Sequence, residues 1–110
     1  MKLKSVLMLV AMLSIVLSLA LPRVAAADDG AGLYKAKCAM CHGADGAGKP
    51  AAKIPSLIAD DTKKASDATL NDDIANGGTD KKASHAFQTK GLTPDQINMI
   101  VTYIRELQKK

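Results

Sequence analysis

The sequence predicts an all-α fold on three observations. Three segments combine helix-capping residues with apolar residues at helical spacing, and no segment of useful length alternates apolar and polar residues as a strand does. Two long stretches separate these segments, the first marked by glycine and proline and the second rich in lysine and glycine, and each contains one of the chain's two histidines. Because long irregular loops are uncommon in a small compact domain, we expect both loops to wrap one common object.

The N-terminal residues 1–27 have the pattern of a secretory signal peptide. A basic start is followed by an apolar run of about 17 residues and by Ala25-Ala26-Ala27, which suits a small-residue cleavage site. We expect cleavage near Ala27, before Asp28, export to the periplasm, and a mature domain at residues 28–110. The alternative is a retained membrane anchor, since an apolar run of about 17 residues lies at the short limit of what spans a bilayer.

The charge of the precursor does not indicate nucleic-acid binding. Cleavage would lower the net charge from +4 to +1, because Lys2, Lys4 and Arg23 would leave with the signal peptide. The rest of the chain has no block of five basic residues, and its only aromatic residues are Tyr34, Phe87 and Tyr103. A small domain with so little aromatic bulk suggests that a further apolar component completes the core.

Capping residues and periodicity place the helices. The first main helix is predicted from about Gly30 to Cys38, and a short helical turn is predicted at residues 56–60. The second main helix opens at Ser66 and stops at a glycine pair after Asn76. The third opens with a capping box at Thr93 and carries one apolar stripe, formed by Ile97, Ile100, Val101, Ile104 and Leu107. Loops are predicted over residues 41–55 and 79–91.

The segment Cys38-Ala39-Met40-Cys41-His42 is the motif that carries chemistry, and three interpretations compete. A redox-active dithiol would be expected in a βαβ context, which the sequence lacks. A zinc site would need His85 as a fourth ligand, and the adjacency of Cys41 and His42 departs from the usual ligand spacing. Covalent haem attachment uses both thiols as thioethers and the adjacent histidine as an iron ligand. The export signal, the helical pattern and the thin core favour haem.

Residues 28–110 resemble the class I c-type cytochromes, particularly small bacterial monohaem ones. The resemblance rests on "GAGLYKAKCAMCHGADGAG", "KIPSL", "LNDDIANGG" and "AFQTKGLTPDQINMIVTYIREL". It implies a class I cytochrome c-like fold with three main helices and long loops wrapped around one haem c, bound through Cys38 and Cys41. It further implies that His42 binds the iron, that the Pro55 carbonyl bonds the other ring nitrogen of His42, and that the protein carries electrons and is not an enzyme.

The resemblance fails at the distal iron ligand. The usual methionine position is occupied by Ser84, and the distal loop contains no methionine. The next residue, His85, is a good haem ligand, and we predict that it binds the iron opposite His42 and lowers the reduction potential relative to a histidine–methionine pair. The alternative is an exposed His85 and a five-coordinate haem that binds a small gas or peroxide, or iron bound by water or lysine. A further alternative is a subunit of a larger respiratory complex.

Several lysines lie close to each histidine in the sequence, and they could determine which redox partner the protein binds. If both groups ring an exposed haem edge, they would steer a redox partner protein with an acidic docking surface. The alternative is an ordinary solvated surface balanced by aspartates. No nucleic-acid partner is expected, and membrane contact is expected only through partners or an uncleaved signal. The lysines concerned are Lys35, Lys37, Lys49, Lys53, Lys81, Lys82 and Lys90.

Overall fold

The computed structural model describes residues 29–110, so the predicted signal peptide, residues 1–27, lies outside the described residues. Within residues 29–110 the chain forms α-helices and one 3₁₀ turn at Pro50–Ala52, with no strand beyond an isolated bridge between Lys49 and Ile54. The all-α prediction is confirmed. The helices are α1 (Gly30–Lys37), α2 (Ala39–His42), α3 (Asp60–Lys64), α4 (Asp67–Asn76) and α5 (Pro94–Leu107).

The three longer helices, α1, α4 and α5, correspond to the three predicted main helices, because their ends are set by local capping. Asp29 Oδ1 accepts a hydrogen bond of 2.6 Å from the Gly32 N–H at the start of α1. The Thr93–Gln96 capping box at the start of α5 is complete, with hydrogen bonds of 3.2 and 2.9 Å. Gly77, in the left-handed conformation, ends α4.

Two of the predicted boundaries are wrong. The helical turn predicted at residues 56–60 is displaced, because Ala59 is extended and α3 begins only at Asp60, where two aspartates in the first turn suit the helix dipole. The loop predicted from residue 41 also begins later. His42 N–H donates to the Cys38 carbonyl oxygen over 2.9 Å, so helical geometry continues through His42.

The core lies between α5 and the two other long helices. All five residues of the predicted α5 stripe are buried, and two of them, Ile97 and Ile100, are fully inaccessible to solvent. Helix α1 approaches α5 closely at Gly30, where a Cβ atom would overlap the Met99 carbonyl oxygen. A glycine is therefore required at this crossing. None of the helices within residues 29–110 is long and apolar enough to cross a bilayer.

Arg105 connects α5 to the segment that contains α3. Its Nε donates to Asp67 Oδ1 over 2.8 Å, and its Nη atoms donate to the carbonyl oxygens of Lys63 and Ala65. These carbonyls lie at and just beyond the C-terminal end of α3, where backbone acceptors have no partner within the helix. One side chain thus satisfies the end of α3 and fixes it to α5.

Replacing Arg105 with methionine is expected to lower the free energy of unfolding by about 2 kcal/mol, because hydrogen bonds from a charged donor contribute about 1.5–3 kcal/mol. Thermal unfolding of the holoprotein should show a melting temperature lower by about 10 °C. Asp67→Asn is the matched control and should cost less than about 1 kcal/mol, since the Asp67 side chain is 74% exposed. Equal losses in both variants would assign the stabilisation to the ion pair and contradict the role of the carbonyl bonds.

Candidate haem site

His42 lies at the end of α2 with its ring buried and oriented. Only 9% of the residue is exposed, and its Nδ1 lies 3.1 Å from the Pro55 carbonyl oxygen. A carbonyl oxygen only accepts hydrogen bonds, so this contact places the ring proton on Nδ1. The lone pair of Nε2 is then free to bind a metal, and the bond at Nδ1 fixes the ring orientation.

The loop after α2 is folded so that the Pro55 carbonyl reaches His42. The Gly48 N–H donates to the His42 carbonyl oxygen over 2.7 Å, and Lys49 and Ile54 exchange backbone hydrogen bonds of 3.0 and 3.1 Å. Gly48 has a φ of 72°, and a Cβ atom there would lie 2.5 Å from the Pro55 carbonyl oxygen. The close return of the chain therefore depends on glycine at position 48.

The two cysteines differ in their environments. Cys38 is buried and Cys41 is exposed, and the two are not joined by a disulfide. Burial, with a smaller contribution from Cys41, raises the pKa of the Cys38 thiol to about 11. Met40 between them is 84% exposed. The Cys41 N–H donates to the Cys38 carbonyl oxygen over 3.2 Å, so one helical turn separates the two residues. Residues at i and i+3 of a helix share one side, which suits attachment to a single porphyrin.

Tyr34 supports the same region from α1. Its hydroxyl donates a 2.7 Å hydrogen bond to the carbonyl oxygen of Gly43, the residue after His42. Its ring centroid lies 5.3 Å from that of Tyr103 on α5. Burial is the main cause that raises the pKa of Tyr34 to about 12, so the hydroxyl remains a donor at neutral pH. Sequence reasoning counted Tyr34 among the aromatics but assigned it no role at the site.

His85, from the loop between α4 and α5, faces His42. The two ring centroids are 6.1 Å apart and the ring planes differ by 27°. His85 is partly buried, and burial, followed by His42 and Lys82, lowers its pKa, while the backbone and carboxylate of Asp73 oppose that shift. A lowered pKa favours the neutral imidazole, which is the form that binds metal.

The facing histidines fit a haem iron better than a zinc ion. Two imidazoles on opposite sides of one metal, with bonds of about 2 Å, would have ring centroids roughly 6 Å apart. The observed separation of 6.1 Å, between rings that are stacked at 27°, is compatible with that spacing. Over residues 29–110, no three His, Cys, Asp or Glu side chains converge as metal ligands. The four-residue zinc set is therefore not assembled, whereas haem needs only two axial side chains from the protein.

The lysines near the two histidines are exposed, and two of them contact the site. Lys49 Nζ donates to the Met40 carbonyl oxygen over 3.1 Å, beside the attachment motif. Lys90 Nζ donates to the Ser84 carbonyl oxygen over 3.1 Å, beside His85. Positive charge therefore lies at the backbone just before each histidine in the chain.

Comparison with known proteins identifies the class of domain. A family model described as "Cytochrome C oxidase, cbb3-type, subunit III" matches residues 25–104. The chain belongs to this family of c-type cytochrome domains, and the resemblance inferred from the sequence is confirmed. No curated protein matches the chain.

Membership of the family defines the general function. Domains of this class are haem-based electron carriers, generally not catalysts, and they generally exchange electrons with redox partner proteins. Their haem c is covalently bound, and the chain has only Cys38 and Cys41 with which to bind it. Cytochrome c domains of this type are typically exported.

Proposed function

We propose that this protein is a periplasmic one-electron carrier whose haem c is attached through Cys38 and Cys41 and bound axially by His42 and His85. The 6.1 Å separation of the two facing imidazole rings is the observation that carries the proposal. When bound, the haem supplies the redox chemistry, and the protein supplies burial, axial ligands and a docking edge. No substrate is transformed, so the protein is not an enzyme.

The two histidines have different tasks in this proposal. His42 is held rigidly, because its Nδ1 is bonded to Pro55 and its backbone is part of α2. His85 comes from a loop and completes the coordination from the opposite side. An imidazole in place of the usual methionine thioether lowers the reduction potential, so we expect a lower-potential carrier than histidine–methionine cytochromes.

The proposed periplasmic location rests on residues outside the described part of the chain, and the proposed partner rests on lysines within it. The predicted signal peptide at residues 1–27 supports export to the periplasm. The exposed lysines beside Met40 and Ser84 support docking of a redox protein with an acidic surface, whose approach would weaken as salt increases.

A second candidate is a subunit of a larger terminal oxidase. The description of the matching family, subunit III of a cbb3-type oxidase, favours it. The two candidates share the same haem chemistry and differ in whether the holoprotein is isolated alone. Size-exclusion chromatography of the untagged protein solubilised from its native membrane and periplasm would separate them.

The axial ligands are tested by the optical and EPR spectra of the holoprotein beside His85→Ala, each with and without CO. We expect a low-spin wild type and a high-spin, CO-binding His85→Ala variant, because the substitution removes one strong axial ligand. Ser84→Ala is the matched control, since it changes the adjacent residue at the usual methionine position and should remain low-spin. A high-spin, CO-binding wild type unaffected by His85→Ala would contradict the proposal and favour the five-coordinate, gas- or peroxide-binding protein.

A further inference from the structure

We propose that Lys90 is a positioning residue that holds His85 over His42 and thereby limits the access of small ligands to the haem iron. The inference rests on the proposed function, in which His85 binds the iron. The sequence indicated for Lys90 either a docking role or an ordinary solvated surface position.

His85 lies where two turns meet. In the first turn, the His85 N–H donates to the Lys82 carbonyl oxygen over 3.1 Å. In the second, the Thr89 N–H and hydroxyl both donate to the Ala86 carbonyl oxygen, over 3.1 and 2.8 Å. The Phe87 N–H donates to the Ile74 carbonyl oxygen over 2.9 Å and so fixes the second turn to the end of α4.

The junction between the turns has a strained backbone. Ala86, directly after His85, has a φ of 51°, in the left-handed region that residues with a Cβ atom seldom occupy. Such a conformation persists only where surrounding contacts maintain it. The His85 segment therefore needs a restraint across the junction.

Lys90 supplies that restraint through two contacts. Its Nζ donates a 3.1 Å hydrogen bond to the carbonyl oxygen of Ser84, which precedes His85. The same Nζ lies 4.9 Å from the centroid of the Phe87 ring, within the range of a cation–π interaction. The Phe87 ring is in turn 6.3 Å from the His85 ring. The Lys90 side chain thus connects Ser84, which precedes His85, with the Phe87 ring, which follows it.

The rate at which CO binds the haem iron measures how firmly Lys90 holds His85 in place. With both axial positions filled, CO binds the reduced iron only after His85 has moved away, so the binding rate is proportional to the fraction of molecules with His85 displaced. Loss of one hydrogen bond and one cation–π contact of ordinary strength should raise that fraction about tenfold.

The test is stopped-flow CO binding to the reduced holoprotein in wild type, Lys90→Met, Lys90→Arg and Lys81→Met. Lys90→Met keeps the side-chain length and removes the donor and the charge, so CO should bind about tenfold faster while the resting spectrum stays low-spin. Lys90→Arg retains a cationic donor and should bind CO at a rate close to that of the wild type. Lys81→Met removes a charge from the same loop at an exposed residue and is the matched control.

The outcomes separate this inference from the proposed function. An unchanged CO rate in Lys90→Met, in a low-spin wild-type background, would overturn the inference and leave the proposed function intact. Equal acceleration in Lys81→Met would show an effect of loop charge and would also overturn it. A high-spin wild type that binds CO rapidly would remove the proposed function, and the inference with it.

Discussion

Removing both attachment cysteines, by Cys38→Ala together with Cys41→Ala, is expected to leave a chain without a cooperative fold. The buried apolar core within residues 29–110 includes a single fully buried aromatic ring, that of Tyr34. Domains of this size bury a modest share of their surface and often depend on a bound group for stability. Without the two thioether bonds, the chain would lose the covalent hold on the apolar group that we expect to complete its core.

Far-UV circular dichroism and thermal melting of the haem-free double variant test this expectation. We expect reduced helix content and a broad, non-cooperative melt. Met40→Ala is the matched control, because Met40 lies between the cysteines and is 84% exposed, so its replacement should leave attachment and the melt unchanged. A sharp, native-like melt of the double variant would show that the polypeptide core is sufficient by itself.

Replacing Gly48 with alanine is expected to lower the free energy of unfolding by about 3 kcal/mol and to alter the haem potential. The added Cβ would lie 2.5 Å from the Pro55 carbonyl oxygen and 2.6 Å from that of Ile54, both parts of a hydrogen-bonded backbone. The loop must shift, and the Pro55 carbonyl must move away from His42 Nδ1. Because that bond increases the basicity of the ligand, its loss should raise the reduction potential.

Thermal unfolding and spectroelectrochemical titration of the Gly48→Ala holoprotein measure the two effects. We expect a melting temperature lower by at least about 12 °C. Gly91→Ala is the matched control, since Gly91 has a φ of 99° but a Cβ atom added there would meet no atom of residues 29–110 within 4 Å. Gly91→Ala should lower the free energy of unfolding only by the backbone strain, about 1–2 kcal/mol. It should leave the reduction potential of the haem unchanged. A potential that moved equally in both variants would contradict the proposed link through Pro55.

The sequence by itself determined the features that depend on interactions between residues close together in the chain. The ends of α4 and α5 depend on side chains within three or four residues of each cap, such as Thr93 with Gln96, and such signals are readable in a linear chain. The α5 stripe has helical spacing and is buried along its whole length. The haem-attachment motif is equally local, because its two thiols and histidine span five residues. The fold class and the family were therefore available from sequence alone.

Contacts between distant segments were decided only by the tertiary structure. The partner of the C-terminal end of α3 could not be predicted, because its carbonyl oxygens accept hydrogen bonds from Arg105, a residue of another helix. The requirement for glycine at position 48 depends on the return of the chain at Pro55. The approach of His85 to His42 brings a loop to the end of α2, and the separation of these two residues along the chain does not indicate their distance in space. Capping and periodicity act over one helical turn, whereas these contacts exist only once the helices have packed and fixed where each loop returns.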